Sequence, residues 1–151
     1  MINSRDLNDL QPLVRDMAVA FLAATKQEGI DVLVTSTYRD AESQAAIYAI
    51  GRTVKGPNPS ILKPMGRVVT NAKPGDSYHN WRVAFDWVPL VGGKPVWNDT
   101  KLFEKCGAIA ESVGLEWAGR WTTFPELAHC QYRGGLQLAD FKLGKTLEAT
   151  A

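Results

Sequence analysis

Leu10, Leu13, Val14, Met17, Ala18, Phe21 and Leu22 recur at spacings of three and four, which gathers them on one face of a helix and leaves the opposite face polar. A one-faced helix has to bury that face against a second layer, so a second layer must exist elsewhere in the chain. Pro12 suits the first turn of this helix and Gly29 its stop. The period then changes. Asp31 to Thr37 is rich in β-branched residues and reads as a strand, after which Asp40 can cap a helix running to about Ile50 and ended by Gly51. Tyr38 and Arg39 fall at the corner between the two.

The stretch from Gly51 to Gly66, GRTVKGPNPSILKPMG, is broken by glycine and proline throughout and reads as a long surface loop. Val68 to Asn71 and Val83 to Val88 are strand candidates, and Gly92-Gly93 closes a hairpin between the second of these and Lys94 to Trp97. Asn98 or Asp99 then caps a helix through Val113, with Leu102, Phe103, Cys106, Ile109, Ala110 and Val113 on one face. Ala128 to Tyr132 is the last strand candidate. Helices and strands mixed in this order predict an α+β fold with a small antiparallel sheet and flanking helices. The length of 151 residues predicts one domain over 1–151.

Charge and cysteine usage exclude several classes of function. Lys plus Arg is 17 against 16 Asp plus Glu, a net +1, with none of the basic excess that binding nucleic acid through its phosphates requires. Cys106 and Cys130 are too few for a disulfide framework. The N-terminus mixes Arg5 and Arg15 with Asp6, Asp9 and Asp16, so no signal peptide is expected, and no apolar run is long enough to cross a membrane.

The chemistry concentrates around the two histidines, His79 and His129. Ser77-Tyr78-His79 leads to Asp86, and Glu126 precedes His129 by three. Two neutral imidazoles and a carboxylate form a three-ligand zinc set with a fourth position left for water, and a further carboxylate beside that water can act as general base. Spacing tests the idea. Seven residues of straight strand would hold His79 and Asp86 about 23 Å apart, so a shared ion requires a turn near Asn80 to Arg82 that doubles the chain back. An offset of three opposes side chains on a strand but aligns them on a turn, so PELAH is expected to form one tight turn with Glu126 and His129 on the same side. A lone histidine near a strand is more often a hydrogen-bonded structural residue than a ligand. Cys130 is a rival ligand or nucleophile, but strand alternation points it away from His129, as a buried small hydrophobe. Arg39 has two open readings, as a cleft cation for a carboxylate or oxyanion and as a helix-corner surface residue. Of the tryptophans at 81, 87, 97, 117 and 121, most are expected in the core and one or two along a groove.

STYRDAESQAAIYAIGRT, VTNAKPGDSYHNWRVAFDWVP, GLEWAGRW and FPELAHCQY, in that order, resemble the zinc peptidases of the D-alanyl-D-alanine carboxypeptidase and L-alanyl-D-glutamate endopeptidase group, phage endolysins in particular. The resemblance runs from about Val34 to Tyr132. It implies one Zn²⁺ per chain on His79, Asp86 and His129, with Glu126 as catalytic base, Arg39 stabilising the substrate or transition state, and Ser77 in the family's serine position on the substrate side. The implied activity is hydrolysis of peptidoglycan stem peptides, at the L-alanyl-D-glutamate bond. A D-alanyl-D-alanine carboxypeptidase, or a non-catalytic zinc-containing wall-binding module, are the alternatives. The implied setting is a monomer made in the host bacterial cytoplasm and released to the wall through a membrane pore. No stable membrane association and no separate wall-binding domain are expected. The chain departs from the family pattern at Arg82, where the family has Gly, at Ala118-Gly119, where it often has two glycines, and at Cys130, where it has an aromatic.

Overall fold

The computed structural model describes residues 1–147. Its first helix, α1, spans Pro12–Gln27 and buries Val14, Ala18, Phe21 and Thr25, the face that the spacing defines. The cap at Asp40 forms as expected, its carboxylate accepting from the Ser43 N–H, and α2 spans Ala41–Ala49. Asp99 rather than Asn98 caps α3, Thr100–Ser112, which buries Phe103, Cys106, Gly107 and Ala110. A short α4, Leu138–Lys142, follows the last strand and buries Phe141.

The second layer is an antiparallel sheet. Its strands are β1 (Asp31–Ser36), β2 (Ala84–Val91), β3 (Lys94–Pro95), β4 (Glu116–Trp117) and β5 (His129–Gln131). The spatial order is β1-β2-β5-β4, and β3 folds back on β2 as the Gly92-Gly93 hairpin. Central β2 is the most buried strand, with Ala84, Phe85, Trp87 and Val88 inaccessible to solvent. The core forms around the Trp87 indole, with the Phe21 ring 5.2 Å away from α1 and the Phe103 ring 5.3 Å away from α3. Trp117 is buried as well, whereas Trp97 stays half exposed. Large aromatic area removed from water on the Trp87 face of this strand is what fixes the helices to the sheet.

Two local features position the site. β1 carries a bulge between Val34 and Ser36, after which Ser36 stands opposite Asp86. Residues 2–4 run beside 37–40, with the Ser4 N–H donating to the Tyr38 carbonyl at 2.8 Å and the Thr37 N–H to the Ser4 carbonyl at 2.7 Å. The corner between β1 and α2 is thereby held from the outside.

Two expectations need correction. Val68 to Asn71 forms no strand, because no other strand among the described residues pairs with it. The Arg67 N–H donates to the Pro57 carbonyl, the Ala72 N–H to Thr70 Oγ1, and Arg52 Nη1 to the Thr70 carbonyl. β-branched residues favour a pleated surface only where a neighbouring strand supplies partners. The hairpin return is also shorter than Lys94 to Trp97, since the chain turns away through the Asp99 N–H to Val96 carbonyl bond.

Candidate metal centre

Register sets two of the three expected ligands side by side. Asp86 on β2 pairs directly with His129 on β5, so their side chains share one face of the sheet. His79 arrives from the preceding turn. Ser77 caps a 3-10 turn over Tyr78–Trp81, its Oγ accepting from the His79 N–H, while Asn80 Oδ1 accepts from the Ser77 N–H. The turn ends at Arg82 in the left-handed region, φ +64°, and the chain doubles back there into β2. A left-handed residue with a side chain costs about 1–2 kcal/mol. Arg82 offsets this by stacking its guanidinium 3.8 Å over the Tyr38 ring and donating to the Asp9 carbonyl at 3.0 Å.

The hydrogen bonds fix which nitrogen of each imidazole faces inward. His79 Nδ1–H donates to the Thr37 carbonyl at 2.8 Å, which leaves Nε2 3.1 Å from Asp86 Oδ1. His129 Nε2–H donates to Gln131 Oε1 at 2.8 Å, which leaves Nδ1 3.0 Å from the same oxygen. The Gln131 amide is itself oriented by Glu116, whose carboxylate accepts from Nε2 at 3.3 Å. These tautomers follow from the bonding network. One donor atom from each of His79, Asp86 and His129 lies within 4.8 Å of the others.

Three electron pairs converging in a buried place repel unless a cation lies among them, and the cation is either a proton or a metal ion. The set fits a metal. Two imidazole nitrogens and one carboxylate suit zinc, and each histidine has the outer partner, a carbonyl or an amide oxygen, that orients a metal-binding ring. Without a metal a proton takes that place. Burial alone would raise Asp86, but protonated imidazoles at His79 and His129 hold it far below the usual carboxylate range. Burial would likewise lower His129, and the hydrogen bond and charge of Asp86 raise it instead.

Arg39 belongs to this site and not to the surface. Its N–H donates to the His79 carbonyl, its Nη1 to Gln44 Oε1 at 3.0 Å and its Nη2 to Ser36 Oγ at 3.2 Å. Nη2 also stands 3.9 Å from Asp86 Oδ2, the buried Nε has no acceptor among the described residues, and the guanidinium lines the cleft beside the triad. Burial lowers its pKa, partly countered by the Asp86 and Glu126 charges.

PELAH forms the single turn expected, closed by the His129 N–H to Glu126 carbonyl bond, with Glu126 Oε2 3.7 Å from His129 Nδ1. The Glu126 side chain is exposed to the cleft. Trp117 Nε1 pins this turn by donating to the Leu127 carbonyl at 2.8 Å. Cys130 points away, buried, with the Trp87 Nε1–H donating to its Sγ, and burial pushes its thiol up to about 12. It is the small hydrophobe that alternation predicts. Asp76, also on the cleft, is engaged with Lys142 Nζ at 2.6 Å.

Gln131 carries a role that the sequence analysis does not assign, and Trp121 is one of the tryptophans expected along a groove. Gln131 follows His129 by two on a strand, so period-two alternation could have found it. Trp121, 5.7 Å from the His129 ring across the cleft, carries no spacing signal. The cleft extends on both sides of the triad. One lobe is lined by Arg39, Thr70, Ser77, Tyr78 and Trp121, the other by Thr35, Arg67, Trp97, Leu127 and Ala128, and both include Val69, Asp86, Glu126 and His129.

Comparison with known proteins agrees with this geometry. The sequence pattern of a family described as D-alanyl-D-alanine carboxypeptidase matches residues 70–132, the segment that holds the triad and Glu126. The chain is 32% identical over 133 residues to the peptidoglycan L-alanyl-D-glutamate endopeptidase CwlK of Bacillus subtilis, covering 82% of this chain and 74% of that protein. Among solved structures, the L-Ala D-Glu endopeptidase ChiX of Serratia marcescens superposes with a TM-score of 0.64 at 16% identity, over 93% of this chain and 92% of that one. The vancomycin-resistance D,D-pentapeptidase VanY in complex with Zn(II) does so with a TM-score of 0.64 at 17% identity, over 94% and 89%. The extent of the CwlK similarity, together with a shared fold, settles the family: the chain belongs to the D-alanyl-D-alanine carboxypeptidase family of metallopeptidases.

Proposed function

We propose that this chain is a zinc-dependent peptidoglycan peptidase that cleaves the stem peptide at the L-alanyl-D-glutamate bond. The observation that carries the choice of bond is the cleft itself, which continues past the triad in both directions. An enzyme that cuts within a chain needs room on both sides of the scissile bond, whereas one that removes a terminal residue is served by a cleft closed on one side. The CwlK similarity supports the same reading.

Zinc held by His79 Nε2, Asp86 and His129 Nδ1 would supply Lewis acidity, polarising the scissile carbonyl and acidifying water. The chain's own residues do the rest. Glu126 accepts the proton of the attacking water on its carboxylate and returns it to the leaving amine. Arg39, whose guanidinium lines the cleft beside Asp86, meets the negative charge that develops on the carbonyl oxygen, and its partial burial strengthens that interaction by excluding water. Thr37 and Gln131 hold the two imidazoles in their tautomers, and Ser77, capping the turn before His79, lines the cleft where the peptide lies.

The proposed setting is bacterial lysis by a phage, as a monomer that reaches the wall from the host cytoplasm through a membrane pore, in keeping with the sequence resemblance to endolysins. The second reading, a D,D-carboxypeptidase, is favoured by the description of the matched family. Mass spectrometry of digested peptidoglycan separates them. Glycan strands bearing a single alanine, with peptides that begin at glutamate, are expected. Release of free D-alanine from intact stems would overturn the assignment in favour of the second reading.

A further inference from the structure

The second lobe of the cleft, with a volume of about 630 Å³, contains a cation that the proposed mechanism does not use. Arg67 lines this lobe and the adjoining groove beside Phe124 and Glu126. Arg52, Arg82, Arg120 and Arg133 are tied to carbonyls or carboxylates. The Arg67 guanidinium has no hydrogen bond or ion pair among the described residues.

Its backbone is held firmly. The Arg67 N–H donates to the Pro57 carbonyl at 2.7 Å, and its own carbonyl is packed against two glycines. A Cβ added at Gly51 would come within 2.7 Å of that oxygen, and one at Gly56 within 2.6 Å. Only glycine permits so close an approach of one backbone segment to another. With its backbone already fixed, only the Arg67 side chain itself remains to be ordered when a ligand binds.

The surrounding charge points to the ligand. Residues 51–73 contain Arg52, Lys55, Lys63, Arg67 and Lys73 and no Asp or Glu, so the segment that carries Arg67 is positive throughout. The floor presents Asp86 and Glu126, which would repel an anionic substrate group. A carboxylate entering the lobe therefore needs a cation within reach, and Arg67 is the one that lines it. The planar fork matches a carboxylate in two-point contact.

We propose that Arg67 forms a second cationic subsite, apart from Arg39, that receives a substrate carboxylate next to the scissile bond and makes the enzyme selective for stems whose carboxylate there is free. This rests on the reading of the stem peptide as substrate.

The test uses two synthetic stem peptides that differ only in that carboxylate, free in one and a primary amide in the other. The zinc-loaded parent should cleave the free acid with a kcat/KM higher by about tenfold, the size of one partly exposed charge-assisted contact. Arg67→Ala should raise KM for the free acid by about tenfold with kcat within about twofold, and should show no preference between the peptides. Arg67→Lys should retain part of the preference. An Arg67→Ala protein that keeps the parental preference, one that loses kcat at parental KM, or a parent without preference overturns the subsite. In a Glu126→Gln background, where the peptide binds uncut, calorimetry should show the same tenfold loss on Arg67→Ala, and equal affinities would count against the proposal. Cleavage of both peptides at equal rates leaves the stem reading standing and removes the subsite, whereas cleavage of neither peptide nor of intact wall removes both.

Discussion

Gly107→Ala sets two effects of opposite sign against each other, and the structure decides between them. Position 107 is inside α3, where alanine is favoured over glycine by about 1 kcal/mol. It is also buried against Trp117, and an added Cβ would overlap the indole ring. A Cβ at Gly119 would overlap the same ring, so the indole lies between two glycines. It cannot slide easily either, since its Nε1 donates to the Leu127 carbonyl at 2.8 Å and the side chain is 2% exposed. Overpacking a fixed site costs about 1–3 kcal/mol, and a ring blocked on both faces belongs at the upper end. Subtracting the gain in helix propensity leaves a net loss of roughly 2 kcal/mol. For a domain of this size that is a fall in Tm of about 4–8 °C. Because Leu127 lies in the turn that carries Glu126 and His129, zinc affinity should weaken too. Thermal denaturation of the loaded and metal-free protein measures the first effect, and competition with a chelator the second. A Gly107→Ala protein as stable as the parent would refute the packing argument. Combining it with Trp117→Leu should cost less than the sum of the two single changes, because the smaller side chain vacates the contested space.

Glu126→Gln should retain zinc and Tm but lose about 10²–10⁴ in turnover on purified wall, and parental activity would remove Glu126 as the base. Gln131→Leu removes the acceptor for His129 Nε2–H and should raise the zinc Kd by about 10–100-fold with the fold intact; an unchanged Kd would show that the ring needs no outer partner. The pH dependence of the metal-free protein follows from His129. Burial lowers its pKa, but Asp86 prevails, so its folded value exceeds the ordinary 6.5. The stabilisation is then complete below about pH 6.5 and is lost as pH rises through the raised value. Metal-free protein should melt progressively lower toward alkaline pH, while zinc-loaded protein, whose donor atom is closed to protons, should not. A flat metal-free profile would contradict this.

The parts of the fold that one segment determines alone were legible in the sequence. The face of α1, the caps at Asp40 and Asp99 and the turn after His79 each depend on neighbours in sequence, and each formed. The distance argument for His79 and Asp86 worked because it needed only the rise of a strand. What sequence hid depends on partners far along the chain. Val68 and Val69 look like strand residues, yet no strand lies beside them. Arg39 was undecided between cleft and surface until its contacts with Gln44 and Ser36 placed it. The Ala118-Gly119 departure is explained by Trp117. Of the two positions the retained glycine, Gly119, is the one where a Cβ would strike the indole, while Ala118 fits a buried place without such overlap. Arg82 substitutes for glycine because its side chain is clamped on Tyr38 and Asp9.

The bulge in β1 bears on which changes of length this chain can absorb. Deleting Thr35 would remove the bulge: Val34 and Ser36 would become neighbours opposite Trp87 and Asp86 in regular pairing, and Ser36 would keep its partner and its face. A deletion between Ser36 and Arg39 finds no such slack, since one step along an extended chain exchanges its two faces. The Thr37 carbonyl and Arg39 would then be displaced from the cleft together, removing the partner of His79 Nδ1 and the cation beside Asp86 in a single event. The Gly92-Gly93 hairpin, at the far end of β2, transmits no parity to the site. Residues added there lengthen only the two-stranded extension with β3. Loss of a residue should therefore be tolerated at the bulge and at the hairpin and rejected between Ser36 and Arg39, although all are single-residue changes flanking the same sheet.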